Sequence, residues 1–298
     1  MTLLSKLSGT CTLVLSLLSP AGFAADPEGS GPQSSVAYSD PGLISHTIYR
    51  PATLTGAYPV VLWGNGSCAN TSFGYREFLA DIASHGFIVL AVGPYRDTPA
   101  PRMERPEDPA AWPEFETRPE QLLDGLDWVV AESGRAQSDL FQHVDTTKVA
   151  VMGHSCGGLQ ALKVSVDPRI TTTLVLNSGL FPDGDQYMAR FGLQRSVLDE
   201  LHAPIAYFIG GETDIVYPNA ELDWEALTQL SLPAANLNMD VGHGATYAMP
   251  QGGPFAEAPL AWLHYQLKSD AKARSRFVGD DCGFCTHALW RMRSRLLD

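Results

Sequence analysis

Gly153-His154-Ser155-Cys156-Gly157 places a hydroxyl between two glycines. Residues 148–152 before it are short and apolar and read as a buried strand. The residues after Gly157 are small and apolar and read as a helix. A serine on so sharp a strand-to-helix turn is lifted clear of the sheet. Any Cβ at the flanking glycines would strike neighbouring backbone. The free N–H groups at the start of the helix face the position that an oxyanion would take. The pattern predicts a nucleophile elbow, with Ser155 as nucleophile and the Cys156 backbone N–H as one oxyanion donor.

A serine hydroxyl is a weak nucleophile at neutral pH. It needs a base within hydrogen-bond reach, and the base needs an acid that fixes its tautomer. With an elbow of this kind the order along the chain is serine, acid, histidine. Of the eight histidines, His154 belongs to the elbow, and His46, His85 and His143 precede the serine. His202 comes before the strand of the acid candidates, His264 falls inside a predicted helix, and His287 lies in the tail. His243 directly follows a predicted strand, with glycine on each side, and is the expected base. Asp214 follows the strand before that one and is the expected acid, with Asp183, Asp185 and Glu212 as rivals. The second oxyanion donor is expected from Gly64-Asn65-Gly66-Ser67-Cys68, with Ser67 favoured and Gly66 as the alternative.

These groups must be held by regular elements. Strands are expected over 43–49 (half-exposed), 59–63, 87–92, 173–177, 204–209 and 236–241. Helices are expected over 75–85, 119–132, 218–230 and 255–267, with Gly86 stopping the first of these. Apolar strands alternating with amphipathic helices give an α/β fold, a mostly parallel central sheet with helices on both faces. Ligands of such sheets bind beyond the carboxyl ends of the strands. A proline-rich stretch, 94–119, is too irregular for either element. Irregular insertions of that length are usually functional or disordered.

The composition, 298 residues with 45% hydrophobic, is that of a globular chain. Its net charge of −13 repels phosphate backbones and anionic lipid, so no nucleic-acid partner is expected. Residues 1–25 read as a secretory signal peptide: Lys6, an apolar run over 12–18, Pro20, then small residues around Ala24. That run is too short to span a bilayer. The chain is therefore expected to be secreted, extracellular or periplasmic. The remainder divides into a flexible leader over 26–42, a catalytic domain over 43–275 and a C-terminal tail over 276–298. Cys11 falls within the signal segment. Cys68, Cys156, Cys282 and Cys285 then form an even set suited to disulfides, and three pairings are open. Cys282 and Cys285 could close on each other, which would leave Cys68 for Cys156. Cys282, Cys285 and His287 make only three metal ligands with no fourth nearby, so no metal is expected. Asn65-Gly66-Ser67 and Asn70-Thr71-Ser72 match the glycosylation pattern, but a glycan on the first would cover the serine.

Residues 59–267 resemble the α/β-hydrolases, and within them the dienelactone-hydrolase and polyester-hydrolase (cutinase-like, PET-hydrolase-like) branch. The resemblance rests on Val60-Val61-Leu62-Trp63-Gly64-Asn65-Gly66, Ala83-Ser84-His85-Gly86-Phe87-Ile88-Val89, the elbow, Thr213-Asp214-Ile215-Val216-Tyr217-Pro218 and Gly242-His243-Gly244. It implies a serine esterase acting through an acyl-enzyme, with no cofactor. Polyester hydrolases of that branch usually carry an aromatic residue at the position of Ser67 and a methionine at that of Cys156. The insertion is also foreign to them. Its Tyr95, Trp112 and Phe115 could line an acyl or aryl pocket. These departures point to a small-molecule ester in preference to a polymer. Acyl transfer or amide hydrolysis on the same residues, or a non-catalytic binding protein on this fold, are the alternatives.

Overall fold

The computed structural model describes residues 27, 29–99 and 114–297. The expected signal peptide, Trp112 and the middle of the insertion lie outside them. Among the described residues, nine strands form one sheet in the order β1-β2-β4-β3-β5-β6-β7-β8-β9. They are β1 (Ser35–Asp40), β2 (Leu43–Pro51), β3 (Tyr58–Gly64), β4 (Ile88–Val92), β5 (Val144–His154), β6 (Thr172–Leu176), β7 (Ile205–Ile209), β8 (Ala234–Met239) and β9 (Trp290–Arg295). The six strands from β4 across to β8 are parallel; β1, β2 and β9 are antiparallel to their neighbours. The helices are α1 (Arg76–Ser84), α2 (Glu120–Gly134), α3 (Cys156–Val164), α4 (Gln186–Ala189), α5 (Tyr217–Leu227), α6 (Glu257–Lys268) and α7 (Ala271–Arg274). None of them is long and apolar enough to cross a membrane.

Alternation along each strand divides the core between the two faces. Val61, Trp63, Met152, Leu174 and Phe208 pack under α1 and α6. Val60, Leu62, Val149 and Val151 pack toward α2, while Val175, Tyr207 and Ile209 pack toward α3 and α5. Both faces are thus removed from water, which is why the central strands read as continuous apolar runs. Gly86, at φ 82°, follows the end of α1, where a left-handed residue turns the chain into β4.

Three expectations are corrected. The segment 26–42, read as a flexible leader, contains β1, which pairs with β2 from Ser35↔Pro51 onward. Strand β2 is mostly buried where it was expected half-exposed, because β1 and β4 flank it on both edges. The segment 276–298, read as a tail, contributes β9, paired with β8 from Ala234↔Arg295 to Met239↔Trp290. The tail is fastened by Phe284, which is fully buried under the Arg276 guanidinium. The Cys282–Cys285 disulfide closes its turn. The sheet therefore extends beyond the expected domain at both ends.

Candidate active site

The elbow is built from close backbone approaches. A Cβ on Gly157 would fall onto Gly64, and a Cβ on Gly153 onto Gly157. Strands β3 and β5 and helix α3 can meet only because all three residues lack one. Ser155 then sits at φ 53°, ψ −117°, a conformation that L residues avoid, between the end of β5 and the start of α3. Its N–H donates to the Leu176 carbonyl at 3.0 Å, and its own carbonyl accepts from Ser178 Oγ at 2.7 Å.

Asp214 and His243 arrive on the loops after β7 and β8. Those loops are tied together, since Gly242 N–H and Val241 N–H both donate to the Gly210 carbonyl, at 2.7 and 3.1 Å. His243 Nε2 lies 3.0 Å from Ser155 Oγ, and His243 Nδ1 lies 2.7 Å from Asp214 Oδ1. Asp214 is buried and fully engaged. Its Oδ2 accepts from Asn177 Nδ2 at 2.7 Å and Gly210 N–H at 3.0 Å, and its Oδ1 also accepts from Val216 N–H at 3.2 Å. Burial pushes the carboxyl upward, but the bonds from His243, Asn177, Gly210 and Val216 outweigh it and hold it below its ordinary value.

Sequence reasoning did not single out Asn177. Its amide nitrogen also faces the Gly242 carbonyl at 3.3 Å, and its oxygen accepts from the Tyr247 hydroxyl. It therefore braces Asp214 and the loop of His243 together. Asn177 lies at φ 44°, just beyond β6, which is the sole trace it leaves in the sequence: a short polar residue at a strand end.

Ser67, at φ 57°, faces the elbow from the loop after β3. A disulfide joins Cys68 to Cys156, with Cα atoms 5.2 Å apart and a sequence separation of 88. Closing so long a loop constrains the unfolded chain by about 4.6 kcal/mol on the chain-entropy account. It also fastens the loop carrying Ser67 to the first turn of α3. The returning end of the insertion adds a clamp, with Thr117 Oγ1 donating to the Cys68 carbonyl at 2.9 Å and Gln160 Nε2 donating to the Thr117 carbonyl at 3.1 Å.

A cleft of about 760 Å³ opens over these groups. Ser67, Ser155, Cys156 and His243 line its floor side, and Leu159, Phe181, Ile215 and Val216 give it apolar walls. Tyr187, Gln186 and Arg190 complete it from α4 and its C-terminal end. The insertion's described rings lie elsewhere. Tyr95 is held by Ser39 of β1 and is not among the lining residues. Phe115 stacks on Phe191 at 4.6 Å and lies under the Arg190 guanidinium, behind the wall. Of the rival acids, Asp185 caps α4, and Asp183 accepts from the Arg195 N–H at 3.0 Å.

The elbow's own histidine is buried, and loss of water pulls its imidazole down from 6.5 to about 4. Between those values the unfolded chain binds a proton that the folded chain refuses. Stability is then complete above pH 6.5, falls as the pH drops toward 4, and levels off below; the total is about 3 kcal/mol. Asp214, with its lowered value, adds loss of the same sign at lower pH. Urea midpoints should therefore decline across this window, and the decline should be shallower in His154→Gln. An equal decline in both proteins would exclude His154 as its source.

A family model described as PETase, PET hydrolase-like, matches residues 31–280. Over 169 residues the chain is 28% identical to the platelet-activating factor acetylhydrolase of Bos taurus. That alignment covers 45% of this chain and 38% of the bovine protein, so the chain spans well under half the length of this relative.

Proposed function

The chain belongs to the PET hydrolase-like family, and on that premise we propose a secreted serine hydrolase that cleaves carboxylic esters through an acyl-enzyme. One observation carries the reading: an unbroken chain of bonds from Ser155 Oγ through His243 to Asp214, opening on the cleft. Ser155 Oγ attacks the ester carbonyl carbon while its proton passes to His243 Nε2. Asp214 holds the Nδ1–H and stabilises the imidazolium that results. The oxyanion accepts from the backbone N–H groups of Cys156 and Ser67. Collapse of the tetrahedral intermediate expels the alcohol, which takes the proton from Nε2. Water then gives a proton to His243, attacks the acyl group and releases the acid, and Ser155 recovers its proton.

The cleft volume suits a small-molecule ester. The bovine relative is named an acetylhydrolase, so short acyl groups are the first to try. Export agrees with two disulfides, which persist in oxidising compartments. The test is hydrolysis of a nitrophenyl ester series of increasing acyl length, with fluorophosphonate labelling mapped by peptide mass. Turnover of some members and a label on Ser155 would support the reading. No turnover and no label would end it.

A further inference from the structure

Behind the reacting groups lies a second line of hydrogen bonds. Gly66 N–H donates to the Tyr75 hydroxyl at 3.0 Å. The Tyr75 hydroxyl and His154 Nδ1 are 2.8 Å apart, and His154 Nε2 is 2.8 Å from the His243 carbonyl. Chemistry fixes every proton in this line. A carbonyl can only accept, so His154 carries its hydrogen on Nε2. The neutral ring then offers a lone pair at Nδ1, which the Tyr75 O–H must fill. The Tyr75 oxygen is left free to accept from Gly66.

The members come from four separate places: the loop after β3, the turn leading into α1, the end of β5 and the loop after β8. Three of the four adjoin or belong to the reacting groups, and Tyr75 joins them through its hydroxyl. Gly66 precedes Ser67, His154 precedes Ser155, and His243 supplies the carbonyl itself. The fit is close, because a Cβ on Gly66 would strike both the Tyr75 hydroxyl and His154 Nδ1. The His154 and His243 rings lie 5.1 Å apart between centroids. A second cation there would oppose the imidazolium that forms on His243. Tyr75 is itself wedged against Trp63 and Tyr247, at 4.9 and 5.5 Å between ring centroids.

We propose that Tyr75 and His154 are positioning residues, a neutral hydrogen-bond relay that sets the oxyanion loop, the nucleophile and the base in one common geometry. The proposal rests on the serine-hydrolase reading. Neither residue touches the substrate cleft, so the relay acts on the reacting groups through the backbone. Small displacements of preorganised groups weigh on turnover far more than on ground-state binding.

The test compares Tyr75→Phe, His154→Leu and His154→Gln with the wild type on one nitrophenyl ester. Turnover is counted per site titrated by fluorophosphonate, so that unfolded molecules drop out. Tyr75→Phe and His154→Leu should lose roughly 10- to 100-fold in kcat with KM little changed. His154→Gln, which can accept from Tyr75 and donate to the His243 carbonyl, should regain most of that loss. Should His154→Leu fail to fold, the near-isosteric Tyr75→Phe still decides. Full kcat in Tyr75→Phe would overturn the relay while leaving the hydrolase reading intact. Equal losses in the leucine and glutamine variants would show packing in place of hydrogen bonding and would also overturn it. A wild type that neither turns over nor labels would remove the hydrolase reading, and the relay with it.

Discussion

Ser155→Ala should leave a folded protein whose kcat on nitrophenyl esters has fallen by roughly 10⁵- to 10⁶-fold. The size follows from the arrangement. His243 Nε2, 3.0 Å from the hydroxyl, has no other oxygen to activate except water, which is neither covalently held nor aimed. What survives is stabilisation of the oxyanion by backbone N–H groups, which the substitution leaves in place. Stability should barely change. At φ 53° and ψ −117° alanine is as strained as serine, and the hydroxyl caps nothing in α3. The three groups act as one device, so adding His243→Ala to Ser155→Ala should cost almost nothing more. The measurement is initial rate against substrate concentration, corrected for spontaneous hydrolysis, on all three proteins. A large further loss in the double variant would mean that His243 works independently of Ser155. A single variant retaining a tenth of wild-type activity would place the nucleophile elsewhere.

The elements that carry these residues were legible to different degrees. Central strands announced themselves, because burial on both faces demands the apolar runs of β3, β4 and β7. Edge strands did not. SVAYSD in β1 and WRMRSR in β9 are polar sequences, and what makes them strands is a partner whose unpaired edge accepts them. The same divide runs through the site. Ser155, Asp214 and His243, which the structure brings together, each sit in a local signature of turn residues directly after a strand. Asn177, Tyr75 and His154 were not legible in this way, since their meaning lies in bonds to residues 37, 79 and 89 positions away. A buried asparagine or tyrosine has no local spacing that distinguishes a brace from an ordinary core polar group. The aromatic residues of the insertion show the converse. Their type suggested a pocket lining, yet the described ones, Tyr95 and Phe115, are spent on β1 and on the Phe191–Arg190 stack.

That dependence on distant partners makes Asp214→Asn the most informative single exchange after Ser155→Ala. An asparagine at this position must put its amide nitrogen where one carboxylate oxygen was. The Oδ2 position is closed to it, since Asn177 Nδ2 and the Gly210 N–H both point donors there. Asn177 could turn over, but the Gly210 backbone could not. At the Oδ1 position the nitrogen opposes only the longer Val216 N–H contact, 3.2 Å, so it is driven to that side, opposite His243 Nδ1. It would donate to the ring, so Nδ1 must offer a lone pair and the ring's hydrogen must move to Nε2. That tautomer cannot take the proton from Ser155 Oγ. A loss of about 10⁴-fold in kcat follows, the scale seen when a serine hydrolase base is held in the wrong tautomer. Asp214→Ala forces neither tautomer and should lose no more than Asp214→Asn, although it takes from Asn177 its shorter acceptor and leaves the Gly210 N–H unpaired, and so should destabilise the fold more. Fluorophosphonate labelling of Ser155 should slow in proportion to turnover, because both need the same proton transfer. Labelling at the wild-type rate in Asp214→Asn would show that the carboxylate neither orients nor charges His243, and would remove Asp214 from the mechanism.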